Sequence, residues 1–114
     1  MHEASIAMNI LDTLSEQCRR EGYSKISEVR VLIGAAANVL PEALAFTFDI
    51  VKKETIASEA RLVIELVPLG GHCPACARDF TSEEPYIWQC PLCAAPGVEI
   101  RQGSELRIVS MEVE

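Results

Sequence analysis

The chain has 114 residues, 49% of them hydrophobic, and a net charge of −7 from ten Lys and Arg against seventeen Asp and Glu. The apolar share excludes general disorder, and the length fits one compact domain or one domain with a small insert. The acidic balance disfavours nucleic acid as a partner, because neutralising phosphates takes a cluster of Lys and Arg.

Ile6, Ile10, Leu14 and Cys18 fall four apart, with Leu11 beside them. This is one apolar stripe of a helix from about Ala4 to Glu21, with Gly22 placed to end it. Cys18 lies on that stripe and reads as a small buried hydrophobe. The pattern from Ile26 to Ile33 is a strand with Val29, Val31 and Ile33 on one face and Glu28, Arg30 and Leu32 on the other. Gly34 closes it. Pro41 suits the first turn of a second helix, whose buried side is Leu44, Phe48 and Val51. Phe46 points elsewhere and is expected at the edge of the packing, while Lys52 and Lys53 suit the negative end of the helix dipole. Residues Arg61 to Val67 alternate as a strand with Leu62, Ile64 and Leu66 together, and Glu105 to Val113 form another.

No apolar run is long enough to cross a bilayer, the longest weakly polar stretch being Val31 to Leu40. Glu3 and Asp12 sit where a signal peptide avoids acids. No membrane association and a cytoplasmic location are therefore expected, in a compartment where thiols stay reduced.

The most specific signal is Cys73-Pro-Ala-Cys76, a gap of thirteen residues, then Cys90-Pro-Leu-Cys93. Two intervening residues let both thiolates of a pair turn toward one ion, and two such corners supply four ligands for a closed tetrahedral zinc site. A site with no open position is structural rather than catalytic. Disulfides require an oxidising compartment, to which nothing in the sequence points. The segment from about Gly70 to Gly103 is small enough to need such a staple. Its apolar core candidates are Phe80, Tyr86, Ile87, Trp88, Val98 and Ile100. Gly70, Gly71 and Gly103 border it, as either hinge or turn glycines. Its only bases are Arg78 and Arg101, against Asp79, Glu83, Glu84 and Glu99. The expected fold is α+β: two helices on a small, roughly three-stranded sheet, with a zinc-ribbon-like module inserted between the second and third strands.

The opening Met1-His2-Glu3 is the second chemical feature. The α-amine of Met1, a deprotonated backbone nitrogen and the His2 imidazole can close adjacent chelate rings, and nitrogen donors in a plane suit Ni(II) or Cu(II). Glu3 can add its backbone nitrogen or carboxylate. Taken by itself, a histidine at position two is more often a solvated surface residue.

Over residues 1 to about 113 the chain resembles the HypA family of nickel metallochaperones for nickel–iron hydrogenase maturation. The resemblance is carried by Met1-His2-Glu3, by Gly34 with Val39-Leu40-Pro41-Glu42-Ala43-Leu44-Ala45-Phe46-Thr47-Phe48, by Cys73, Cys76, Cys90 and Cys93, and by the order of elements. It implies His2 as principal nickel ligand with backbone nitrogens of His2 and Glu3 beside it, and structural zinc on the four cysteines. It implies a nickel-binding α/β domain of residues 1–69 plus 104–114 and a zinc module of 70–103. The implied partners are a HypB-type GTPase and the hydrogenase large-subunit precursor, with urease as a further recipient. Some relatives carry another histidine in the zinc module; here the second histidine is His72, read as solvent-facing or as supporting the zinc ligands. The exposed side of the first helix, with Asp12, Glu16 and Arg19, is a candidate surface for the GTPase, and monomer and homodimer both remain open. No catalytic constellation emerges. The alternatives are a zinc-ribbon interaction adaptor with an idle amino terminus and a rubredoxin-like iron electron carrier.

Overall fold

A computed structural model of the chain describes residues 3–114. The elements run α1 (Glu3–Glu21), β1 (Ile26–Gly34), α2 (Pro41–Val51), β2 (Arg61–Val67), β3 (Leu69–Cys73), β4 (Arg78–Ser82), β5 (Glu99–Gln102) and β6 (Leu106–Val113). They divide into two compact units. One comprises the chain up to Val31, Val39–Glu65 and Arg107–Glu114; the other comprises Leu32–Asn38 and Leu66–Leu106. The expected α+β class is observed.

In the first unit, α1 buries Ile6, Ala7, Ile10, Leu11, Leu14 and Cys18 on one face. It ends at Gly22, where the Tyr23 N–H donates to the Cys18 carbonyl at 3.0 Å and satisfies one of the last free acceptors. α1 packs against α2, which begins with Pro41 and has no side-chain cap. Proline fits there because its missing N–H has no partner in the first turn anyway. Leu44 and Phe48 are fully buried with Ile26, Val29 and Val31 of β1, each such side chain contributing on the order of 1.5–3 kcal/mol.

The three-stranded sheet has the order β2-β1-β6. Reciprocal backbone bonds between Lys25 and Glu114 hold the end of the chain beside the start of β1. Two expectations need correction. Phe46 is 68% exposed rather than packed at the edge, and Leu66 is 65% exposed while Leu62 and Ile64 are half-buried.

Glu28 is the one charged residue in the buried set among the described residues. It accepts a hydrogen bond from Arg61 Nη2 at 2.6 Å, and Arg30 stands 3.6 Å away. The Arg61 hydrogen bond holds the Glu28 carboxyl below its ordinary value of 4.5, against the opposing effect of burial. A carboxylate with a depressed folded-state pKa contributes stability above its unfolded value and loses it as pH falls through the folded one. Glu28→Gln should therefore lower the urea midpoint at neutral pH, and the difference from the parent should shrink as pH falls below the ordinary carboxyl value of 4.5.

The second unit holds a separate three-stranded sheet, ordered β4-β3-β5. β3 pairs antiparallel with β4, Gly71 opposite Phe80 and Cys73 opposite Arg78, and with β5, Gly71 opposite Ile100. Gly70 and Gly71 are thus neither hinge nor turn residues. They lie inside the central strand, where a Cβ on Gly71 would collide with the Glu99 carbonyl oxygen. Gly103, at φ 115, does sit in a backbone conformation that suits glycine, and a Cβ there would come within 2.7 Å of Leu69 Cα.

The core cluster around the cysteines is small: Cys73, Phe80 and Cys90, with Cys76, Ile87, Ala95 and Val98 partly buried against them. Tyr86, Trp88 and Ile100 do not join it, at 62%, 72% and 45% exposure. Ile87 turns inward between the two aromatics, and the cysteine side chains take up much of the remaining interior. Gly71→Ala should cost about 1–3 kcal/mol, seen as a fall of several degrees in the thermal midpoint of the zinc-loaded protein.

Candidate metal centre

Each cysteine pair forms a turn of the same construction. Cys73 ends β3 and Cys76 precedes β4, so the first pair spans the turn of the β3–β4 hairpin. The second pair lies in the segment between β4 and β5, closed by the Ala94 N–H donating to the Cys90 carbonyl at 2.8 Å and by the Cys90 N–H donating to the Ala95 carbonyl at 2.9 Å. In each turn the residue after the second cysteine is left-handed, Ala77 at φ 58 and Ala94 at φ 64. The residue after each left-handed alanine turns its backbone N–H toward the second sulfur of its pair, Arg78 toward Cys76 and Ala95 toward Cys93. Within the second pair the Leu92 N–H donates to Cys90 Sγ at 3.3 Å.

The four Sγ atoms lie within 4.8 Å of one another. Cys73 Sγ is 3.6 Å from Cys93 Sγ, and Cys76 Sγ is 3.9 Å from Cys90 Sγ. A tetrahedron with zinc–sulfur bonds of about 2.3 Å has edges of about 3.8 Å. A disulfide needs about 2.0 Å, and all four cysteines are free. The donor set and its spacing therefore fit one tetrahedral zinc ion with no position left open.

The protonation behaviour of the sulfurs points the same way. Burial works to raise the Cys76 thiol, but hydrogen bonds from the Arg78 side chain and from Cys73 outweigh it and bring the thiol down to about 6. Burial likewise opposes ionisation of Cys90, and the N–H groups of Leu92 and Cys93 prevail and lower it. The Ala95 N–H acts to lower Cys93, yet burial and the three neighbouring sulfurs push it up to about 11. Four thiolates so close do not all ionise unaided. A dication at their centre supplies the missing compensation.

The other candidate residues do not join this cluster. His72 pairs across the β3–β4 ladder with Asp79, Nδ1 to Oδ1 at 2.8 Å. Cys18 is buried, with its Sγ 3.9 Å from Met111 Sδ and its thiol raised by burial. Met1 and His2 lie outside the described residues, and Glu3 is the first residue of α1. On that helix Glu16 is tied up in ion pairs with Arg19 and Arg20. Two contributors escaped the sequence reading: Arg78 beside Cys76, and the left-handed alanines. The matching place of Ala77 and Ala94 after the second cysteine of each pair was the available signal.

A small α+β protein with a closed four-cysteine metal centre is thus defined, and its relatives make that class specific. Residues 1–113 match the family model described as hydrogenase/urease nickel incorporation, metallochaperone, hypA. The chain is 38% identical over 114 residues to the hydrogenase maturation factor HypA of Methylocella silvestris, covering all of both chains. It is 40% identical over 112 residues to that of Chloroflexus aggregans, covering 98% of each. Its fold superimposes on the solution structure of the Ni metallochaperone HypA from Helicobacter pylori with a TM-score of 0.68, at 25% identity and covering 99% and 97% of the two chains. The chain belongs to the HypA family of hydrogenase-maturation nickel metallochaperones.

An alanine in the left-handed region costs roughly 1–2 kcal/mol, part of which glycine gives back through its freer unfolded chain. Ala77→Gly and Ala94→Gly should each stabilise the metal-loaded protein by about 0.5–1 kcal/mol. Thermal unfolding, together with zinc retention against a competing chelator, measures both.

Proposed function

We propose that this protein is a non-enzymatic nickel carrier that loads Ni(II) at its amino terminus and delivers it, together with a HypB-type GTPase, to the large-subunit precursor of a nickel–iron hydrogenase, with urease as a further recipient. His2 is the principal ligand. The Met1 amine and the backbone nitrogens of His2 and Glu3 complete a shallow, nitrogen-rich site. The observation that carries this reading is the family match, which spans residues 1–113 and so includes all three positions.

Zinc in this reading is a resident structural ion on Cys73, Cys76, Cys90 and Cys93. Structural zinc in small modules is worth on the order of 10–16 kcal/mol of apparent binding free energy. That suits a cysteine module whose own apolar cluster is little more than Phe80 and its half-buried neighbours. The two sites separate their metals by chemistry: thiolates in a closed tetrahedron for zinc, nitrogen donors in an open plane for nickel. Affinity alone does not select nickel at the amino terminus, since Cu(II) outranks it at nitrogen sites. Metal supply and the protein partner must decide. A cytoplasmic setting keeps the thiols reduced, and no helix among the described residues is long and apolar enough to cross a membrane.

Isothermal titration of the zinc-loaded chain with Ni(II) tests the assignment. His2→Ala should weaken nickel binding by more than about 100-fold while zinc content and thermal midpoint stay unchanged. Residues added before Met1 should cripple binding in the same way. Full nickel affinity in both variants would leave a zinc-ribbon adaptor as the surviving reading.

A further inference from the structure

The second unit exposes its largest side chains. The rings of Tyr86 and Trp88 stack on one another at 5.5 Å between centroids and 23° between planes, both largely open to solvent. Ile87 between them packs against the cysteine cluster, so the aromatic pair is fixed to the metal-organised interior. A groove of about 260 Å³ runs along the pair, lined also by Glu84, Gln89 and Pro91. It is smaller than the roughly 300–1,000 Å³ of a small-molecule pocket.

The charge around it is uneven. Arg101 is paired with Glu99 at 2.9 Å, Asp79 with His72 at 2.8 Å, and Arg78 serves Cys76. Glu83 and Glu84 are exposed and take part in no ion pair among the described residues. A stacking platform for single-stranded nucleic acid needs a positive groove, and a membrane-surface site needs Lys and Arg. Neither is present here. Aromatic faces attract cations, and the unpaired Glu84 on the groove, with Glu83 next to it in the chain, adds to that field.

From the shelf and its acidic flank we infer that Tyr86 and Trp88, with Glu83 and Glu84, form a docking surface for an extended basic segment of a partner protein. An Arg or Lys of that segment lies over a ring face with its charge toward the carboxylates, and apolar neighbours cover the exposed edges. Stacked, rigid aromatics lose little entropy on binding and are typical of the residues that dominate interface energies. This surface is inferred independently of the nickel site.

Trp88 is the only tryptophan of the chain, so its emission reports on the shelf directly. The nickel-free, zinc-loaded full chain is titrated with three capped ten-residue peptides: one alternating Arg with Leu and Pro, one with citrulline for Arg, and one with Glu for Arg. The Arg peptide should give a saturable shift with a Kd on the order of 10⁻⁴ M. The citrulline peptide should bind about five-fold more weakly, and the Glu peptide should give no shift. Glu83→Gln combined with Glu84→Gln should weaken the Arg peptide about three-fold without altering zinc content, and added salt should weaken it further. Tyr86→Leu should weaken it while keeping apolar bulk. Equal responses to all three peptides would overturn the proposal, as would no saturation with the Arg peptide. So would a peptide-free shift that tracks protein concentration, which makes a second copy the occupant, or a saturable response to phosphatidylserine vesicles alone.

Discussion

The convergence of four sulfur atoms from two separate turns is the constraint on which the second unit depends. Apart from the cysteines, its buried apolar side chains are Ile33, Leu69 and Phe80, with a few half-buried ones around Phe80. That is too little apolar surface to offset the ordering of some forty residues, at about 1–2 kcal/mol of backbone entropy each. The sulfurs alone do not close the deficit, because adjacent thiolates repel: the Ala95 N–H favours the Cys93 thiolate, but burial and the neighbouring sulfurs oppose it. A bound dication turns that repulsion into attraction. Metal binding and folding of this unit are in this sense one equilibrium.

How much of this was legible in the sequence follows from the range of the interactions concerned. The helix of Ile6, Ile10, Leu14 and Cys18 was readable because a 3.6-residue period is local, and so was its stop at Gly22. The cysteine turns were readable because ligand spacing within a pair is set by two residues of backbone. Tyr86, Trp88 and Ile100 were misplaced because apolar composition says what can be buried, whereas the supply of interior space is a tertiary quantity. Gly70 and Gly71 were misread for a related reason. What makes Gly71 necessary is the carbonyl of Glu99, far along the chain, and no local pattern announces a close approach by a distant strand. Phe46 illustrates the converse: its helix is apolar on more faces than the first unit covers.

The two cysteine turns match in sequence and in backbone alike. Cys-Pro-Ala-Cys-Ala and Cys-Pro-Leu-Cys-Ala differ only at the third position, and both turns place the final alanine at nearly the same positive φ. The bend aims N–H groups at sulfur, and those bonds favour the thiolate over the thiol. Arg78 adds a cation on one side of the cluster, beside Cys76. The metal charge is thus partly anticipated by protein dipoles and by one guanidinium, which lowers the cost of assembling four negative ligands.

The chain's acidity takes on a more specific meaning once the charges are placed. In the first unit, several carboxylates are paired: Glu28 with Arg61 and Arg30, Glu65 with Arg30, Glu59 with Lys25, and Glu16 with Arg19 and Arg20. In the second unit, four thiolates on one dication would add a net −2, and Glu83 and Glu84 have no cation nearby among the ion pairs of the described residues. Within the second unit, unpaired carboxylates therefore stand in the same short segment as the exposed aromatics. A field of one sign over apolar surface cannot be self-complementary, so it disfavours association of two copies through that face and favours a cationic partner. Folding alone does not require Trp88 on the surface. Its exposure beside uncompensated acids is better explained by what binds there than by what packs beneath it.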